Sequence, residues 1–177
     1  GSTNMVDKYE WTFSAEVYET YLRCAAKIIR SEGGNITAYD GDRVMAIFTG
    51  SSPNTSAVRI AMKINYAVIN IIRPALKVQY PNADFTLNHI IGIDCSRLRA
   101  ARIGVRGDND LVWIGRAANY AAKLTAHAGK ATWITKAVYD RLADEAKYSK
   151  GKNMWESKTW PDMNNLPVYC SGYKWAI

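Results

Sequence analysis

The chain has 177 residues, of which 48% are hydrophobic and 22% charged, and its formal net charge is +7. This balance excludes a disordered or fibrous chain and is typical of one globular domain, here 1–177, with a full core. No run of about 18 apolar residues indicates a membrane span, and no signal-peptide pattern is present. We therefore expect a cytoplasmic protein with no membrane partner.

The positive charge favours an anionic partner, and nucleic acid, nucleotides and acidic lipids all qualify. The basic residues are scattered, and the chain has neither an arginine-rich tail nor an RNA-recognition aromatic motif. A nucleoside triphosphate fits this pattern better, and we do not expect nucleic acid as the partner. The cysteines and histidines are far apart in sequence, which argues against a structural zinc site.

Hydrophobic periodicity predicts helices alternating with hairpins in the first half of the chain. The predicted elements are a core-facing helix from about Ser14 to Glu32, a hairpin with strands near Asn35 to Tyr39 and Arg43 to Phe48, a long helix from Ala57 to Ile72 that Pro74 ends or kinks, and a strand from Phe85 to about Asp94.

The second half continues with strands and shorter helices. The predicted elements are a segment from Ser96 to Asp110 that places Arg97 and Arg99 on one face if it is a strand, a strand from Leu111 to Ile114, an alanine-rich helix opened by Gly115, a strand from Thr132 to Thr135, a helix through Val138, Leu142 and Ala146 capped by Thr135, an outer strand or flap from Lys147 to Lys158, and a closing strand from Leu166 to Tyr173. This order predicts an α+β fold with helices packed on one face of a sheet. One further strand before the first helix would make it ferredoxin-like.

The stretch from Gly33 to Phe48 combines a helix stop, a hairpin and a carboxylate. Asp40-Gly41 between two apolar runs predicts a two-residue hairpin turn, which places Asp42 at the mouth of a sheet. Metal ions and phosphates are often held at such a place, but aspartate also simply suits turns. The local chemistry leaves both interpretations of Asp42 open.

Two ordered blocks of motifs resemble the class III nucleotidyl cyclase catalytic domain, the adenylate and guanylate cyclase homology domain. The matching residues are Gly33-Gly34, Gly41-Asp42 and Val44 to Phe48 in the first block, and Gly92-Ile93, Asp110 to Gly115, Asn119, Ala121 and Lys123-Leu124 in the second. The resemblance covers most of the chain and implies the ferredoxin-like, palm-type cyclase fold with a mainly antiparallel sheet.

The resemblance also implies a reaction and its residues. In the family, two divalent ions, Mg²⁺ or Mn²⁺, are held by two aspartates and promote attack of the ribose 3′-hydroxyl on the α-phosphorus of a nucleoside triphosphate. Asp42 matches the second of these metal ligands, and Asn119 matches the asparagine that orients the ribose. Lys123 stands where the family has an arginine that stabilises charge on the phosphates, so the planar fork of that arginine is lost.

The first metal ligand of the family lies in the pattern Phe-x-Asp-Ile-x-Gly-Ser-Thr, and this chain opens with Gly1-Ser2-Thr3. Either the chain begins three residues after that aspartate, or Gly1-Ser2 is a foreign extension that mimics the motif. In both cases we expect a truncated chain, without the first strand and first metal ligand, that is inactive as it stands. If Thr3 does match, the resemblance makes it a contact of the triphosphate.

The positions that select the base in the family carry no purine-specific residues. Where this chain has Ala38 and Val112, adenylate cyclases have a lysine and an aspartate or threonine, and guanylate cyclases have a glutamate and a small residue. Adenine and guanine would therefore leave hydrogen bonds unmade. Tyr39, with Arg97 or Arg99, could narrow the pocket and donate to the carbonyl oxygens of a pyrimidine. The chain therefore most resembles the bacterial pyrimidine cyclases of Pycsar antiphage defence, which make cyclic UMP or cyclic CMP.

Family cyclases work as head-to-tail dimers, so the resemblance implies a homodimer with two shared sites. Three alternatives to the pyrimidine cyclase stay open at this point. One is an adenylate cyclase, and another is a degenerate cyclase-like module that binds nucleotide and dimerises without catalysis. The third, an RNA-binding ferredoxin-like domain, depends only on the basic charge and the aromatic residues.

Overall fold

The computed structural model describes residues 2–105 and 108–177. Two compact units are present, Gly1–His89 together with Tyr173–Ile177, called unit 1, and Ile90–Gly172, called unit 2. The prediction of a single domain over the whole chain stays a prediction. No helix in the described part of the chain is both long and apolar enough to cross a membrane.

Unit 1 is built mainly of helices around one antiparallel hairpin. Its elements are α1 (Ser2–Lys8), α2 (Trp11–Ser31), β1 (Asn35–Asp40), β2 (Arg43–Ile47), α3 (Pro53–Ala67), a π-helical turn (Val68–Ile72) and α4 (Arg73–Gln79). The predicted apolar stripe of the first helix is buried in α2, and α3 packs against it with an equally apolar face. Burial of these two stripes forms the core of unit 1.

Two predictions in the first half of the chain need correction. Of the two outcomes predicted at Pro74, the end of the helix is wrong. The helical path continues through α4 after the π-helical turn, with Pro74 in the first turn of α4, where its missing N–H is tolerated. The predicted strand from Phe85 to Asp94 is reduced to three residues, Ile91–Ile93. One reason is that the Arg73 side chain donates to the Leu87 carbonyl (2.8 Å), which takes the place of a strand partner.

Unit 2 contains a four-stranded sheet, two separate hairpins and three helices in its described residues. Its elements are β3 (Ile91–Ile93), β4 (Arg99–Val105), β5 (Asp108–Ile114), α5 (Arg116–Leu124), β6 (Thr132–Thr135), α6 (Lys136–Tyr139), α7 (Asp144–Lys147), β7 (Tyr148–Ser149), β8 (Lys152–Asn153), β9 (Glu156–Trp160), a 3₁₀ turn (Pro161–Met163) and β10 (Leu166–Ser171).

The sheet of unit 2 has the strand order β3-β6-β10-β9. Only β3 and β6 are parallel, and β10 is antiparallel to both β6 and β9. Every residue of β6 is buried, whereas β9 is an edge strand with a polar, exposed face. The predicted α+β class with a mainly antiparallel sheet is confirmed.

The predicted helix through Val138, Leu142 and Ala146 is two short helices, α6 and α7. The amides of Arg141 and Leu142 bond to carbonyls three residues back, and this tightening ends α6. Thr135 stands at the N-cap position but does not cap with its side chain. Its hydroxyl donates instead to the buried carboxylate of Asp94 (2.5 Å).

Candidate functional site

The turn between β1 and β2 has the two-residue form that the sequence predicts. Asp40 pairs with Arg43 in the strand register, so Gly41 and Asp42 form the loop, one residue later than expected. Gly41 has a φ of 57°, and glycine with positive φ at the first loop position is typical of a type II′ turn. The turn thus places a half-buried Asp42 at the tip of the hairpin.

The carboxylate of Asp42 lacks the charge partner that its neighbour has. Asp40 forms an ion pair with Arg43, whereas none of the described residues forms one with Asp42. Tyr21 of α2 lies close enough that burial, followed by the charge of Asp42, raises the pKa of its hydroxyl. The Tyr21 ring is 5.9 Å from that of His89. The sequence predicts a core-facing helix around Tyr21 but gives no sign of its proximity to Asp42.

A bulge in β1 changes which way the residues before the turn face. The register between β1 and β2 shifts between Ile36 and Ala38, and such a shift re-aims the side chains that follow it. Ala38 is exposed, and Tyr39 is 53% exposed. Tyr39 also lines a groove of about 520 Å³ along α2 that is rich in basic residues, namely Arg23, Lys27 and Arg30.

The other predicted substrate contacts are also on the surface. Thr3 is exposed on α1. Arg97 is exposed in the segment before β4, which begins only at Arg99, so the condition for both arginines to share a strand face is not met. Val112 lies on β5 and is 41% exposed.

Asn119 and Lys123 are exposed one turn apart on the same face of α5. The Lys123 ammonium is 3.8 Å from the sulfur of Met163. No carboxylate among the described residues pairs with Lys123. The helix therefore presents an amide and an unpaired cation together, which suits a ribose and its phosphates.

Close backbone packing holds α5 against β3. A Cβ atom at Gly92 would lie 2.1 Å from the carbonyl oxygen of Ala121, so only glycine allows this approach. Leu124 at the end of α5 is fully buried beside Trp133 and Trp160.

The N-terminus of α5 is held by the segment that follows β3. The hydroxyl of Ser96 accepts from the amide of Ala117 (3.0 Å), so it caps the helix from 21 residues away. Arg116, the first helical residue, donates to Asp94 (3.1 Å) and to the carbonyl of Cys95 (2.9 Å). Sequence reasoning missed these contacts, and the only signal for them was that Asp94 follows the Gly92-Ile93 motif.

The candidate site residues fall into two sets. Thr3, Ala38, Tyr39 and Asp42 lie in unit 1, whereas the second set lies in unit 2 and comprises Arg97, Val112, Asn119 and Lys123. Within the described residues, no group of three or more histidine, cysteine, aspartate or glutamate side chains could hold a metal ion. Mg²⁺ is commonly held by one or two carboxylates together with substrate phosphates, and the unpaired carboxylate of Asp42 fits that role.

Comparison with known proteins gives close relatives over the whole chain. A uridylate cyclase of Burkholderia cepacia is 61% identical over 177 residues, which is 100% of this chain and 76% of that protein. A uridylate cyclase of Xanthomonas perforans is 56% identical, again over 100% of this chain and 77% of the relative. No family profile matches the chain.

The fold is similar to that of a solved cyclase. The crystal structure of the adenylyl cyclase CyaB from P. aeruginosa matches 97% of this chain and 88% of its own, with a TM-score of 0.81 and 21% identity. At that identity the likeness concerns the fold alone. It confirms the predicted cyclase fold class.

Proposed function

The chain belongs to the family of uridylate cyclases, and on this premise we propose that it converts UTP to 3′,5′-cyclic UMP and pyrophosphate. The observation that carries the proposal is the 61% identity over all 177 residues with a uridylate cyclase. From the resemblance to pyrimidine cyclases of antiphage defence, we further propose that the product is a second messenger in such a defence.

The side chains at the base-selecting positions support a pyrimidine. Ala38 and Val112 cannot donate or accept hydrogen bonds through their side chains, so a purine edge would lose its polar partners there. Tyr39 and Arg97 are exposed and can donate to the two carbonyl oxygens of uracil. We propose that these two residues contact the base.

The reaction forms one bond and breaks another. The ribose 3′-oxygen bonds to the α-phosphorus, the bond from that phosphorus to the bridging oxygen breaks, and pyrophosphate leaves with the electron pair, while the 3′-hydroxyl proton passes to water. The Asn119 amide orients the ribose. The Lys123 ammonium offsets the negative charge that develops on the phosphates, as a point charge without the planar fork of arginine.

Asp42 is the residue of the described chain that would hold a divalent ion, and Thr3 would contact the triphosphate. When bound, Mg²⁺ or Mn²⁺, two ions per site, neutralises the phosphates and acidifies the 3′-hydroxyl. The half-buried position of Asp42 and its lack of an ion-pair partner among the described residues support this role.

We propose a head-to-tail homodimer in which Asp42 of one chain and Asn119 of the other serve one nucleotide. One face of the β4–β5 hairpin supports an interface between chains, because its apolar residues are 41–71% exposed. The residues of this face, which alternate along the two paired strands, are Ile103, Val105, Val112 and Ile114.

Product analysis tests the proposal. The full-length protein is incubated with each of the four nucleoside triphosphates and Mn²⁺, and the products are separated by chromatography and identified by mass. We expect cyclic UMP as the main product. Cyclic AMP as the main product would favour the adenylate cyclase, and no product from any nucleotide would favour the non-catalytic module.

A further inference from the structure

The carboxylate of Asp94 is a buried junction between three parts of unit 2. Its side chain is 0% exposed. Its oxygens accept from the Arg116 guanidinium (3.1 and 3.5 Å) and from the Thr135 hydroxyl on β6 (2.5 Å). A carboxylate this buried is stable as an ion only when such donors satisfy it.

The partner of Asp94 lies at a place where a positive charge is otherwise unfavourable. Arg116 is the first residue of α5, and the N-terminal end of a helix carries the positive end of its dipole. Asp94 compensates that charge, while the Cys95 carbonyl accepts a further hydrogen bond from the same guanidinium (2.9 Å). These contacts attach the first turn of α5 to the end of β3.

Arg116 shares a face of α5 with Asn119 and Lys123, the two candidate site residues on that helix. Arg116, Asn119 and Lys123 are spaced by three and four positions, so they lie along one stripe of α5. The guanidinium also lies 5.3 Å from the ring of Tyr120 on the same stripe. Fixing Arg116 therefore fixes the rotation of α5 about its axis, and with it the direction of the two site residues.

We propose that Asp94 is a positioning residue of the cyclisation reaction, which acts through Arg116 to orient Asn119 and Lys123 toward the nucleotide. The inference builds on the proposed function. Asp94 does not touch the substrate in this account. Replacing Asp94 should lower the rate of the chemical step, because small displacements of groups that contact the reacting atoms reduce that rate strongly.

The test compares Asp94→Asn with Asp140→Asn in the full-length protein. The first change keeps the size of the side chain and an oxygen for Thr135 but removes the charge that holds Arg116. The second removes an exposed ion pair with Lys136 of α6, in the same unit. We expect Asp94→Asn to lower kcat by about 10- to 100-fold with KM within about threefold, and Asp140→Asn to change kcat by less than about twofold.

A double mutant separates a positioning role of Asp94 from a general loss of stability. In a Lys123→Ala background, Asp94→Asn should lower kcat by a smaller factor than it does in the wild type, because one of the two groups that it orients is already gone. If Asp94→Asn proves too unstable, Arg116→Lys takes its place, since it keeps the charge but loses the fork. We expect it to lower kcat by about three- to tenfold, with the unfolding temperature unchanged.

Amide hydrogen exchange tests, independently of catalysis, whether Asp94 holds α5 in place. Asp94→Asn should speed exchange in α5 by about tenfold relative to the wild type, with β6 and β10 unchanged. Unchanged exchange in α5, or equal kcat values for Asp94→Asn and Asp140→Asn, would overturn the positioning role. Faster exchange in α5 in a protein that cyclises no nucleotide would support the positioning contact and refute the proposed function.

Discussion

The turn that carries Asp42 and the helix that carries Asn119 and Lys123 are held in place in different ways. Gly41 and the pairing of Asp40 with Arg43 form the turn from four consecutive residues. The helix is held by contacts with residues 21 to 29 positions earlier in the chain. The position of Asp42 is therefore encoded locally, whereas that of Asn119 and Lys123 depends on tertiary packing.

The largest expected effect on activity comes from changing Asp42, whose position the turn encodes locally. Asp42→Asn should lower cyclic UMP formation by at least about 100-fold, because the amide loses the charge that a divalent ion needs. Because the turn depends on Gly41, its fold should be unaffected, and circular dichroism should match that of the wild type. Initial rates with Mn²⁺ measure the loss.

The neighbouring carboxylate is the matched control for this change. Asp40→Asn removes an exposed ion pair in the same turn. It should leave the rate within about threefold of wild type, since exposed pairs contribute little. Equal losses from the two variants would mean that the turn as a whole, rather than the Asp42 carboxylate, matters.

Gly92→Ala should disrupt the packing of α5, the helix that carries Asn119 and Lys123, against β3. The added methyl would lie 2.1 Å from the Ala121 carbonyl oxygen, so α5 must move away from β3. We expect a loss of about 1–3 kcal/mol in the free energy of unfolding, measured with urea. Gly172→Ala is the control, because its nearest contact would be an ordinary 3.7 Å, and wild-type stability of both variants would contradict the close packing of α5.

Acid should weaken unit 1 through His89, which lies beside Tyr21. Burial, and then the charge of Arg73, lowers the pKa of His89 to about 4 from its ordinary value of 6.5. Between these values the unfolded chain binds more protons than the folded one, so stability is full above pH 6.5 and falls as the pH drops toward 4. The pKa difference corresponds to at most about 3 kcal/mol.

Urea unfolding of wild type and His89→Gln at several pH values measures this effect. The glutamine cannot titrate, so the two curves of stability against pH should converge as the pH falls from 6.5 toward 4. Parallel curves over that range would show that His89 does not stay neutral in the fold.

The sequence predicts the parts of the molecule that local patterns specify. The Asp-Gly signal predicts the turn at Asp42, and the apolar period predicts α2 and α3. One reason that no strand forms around Leu87 is that the side chain of Arg73, 14 residues earlier, donates to the Leu87 carbonyl. No pattern could pair Asp94 with Arg116, because their contact forms only after β3 and α5 have packed. The sequence thus names candidate site residues but not the contacts that hold α5 in place.

Mixing two inactive variants tests most directly that the two halves come from two chains. Asp42→Asn and Asn119→Ala should each abolish cyclic UMP formation. A mixture in equal amounts, allowed to exchange subunits, should regain about a quarter of wild-type activity, because half of the dimers are mixed and each of those has one intact site of two. Activity no higher than that of the separate variants, alongside an active wild type, would contradict a shared site.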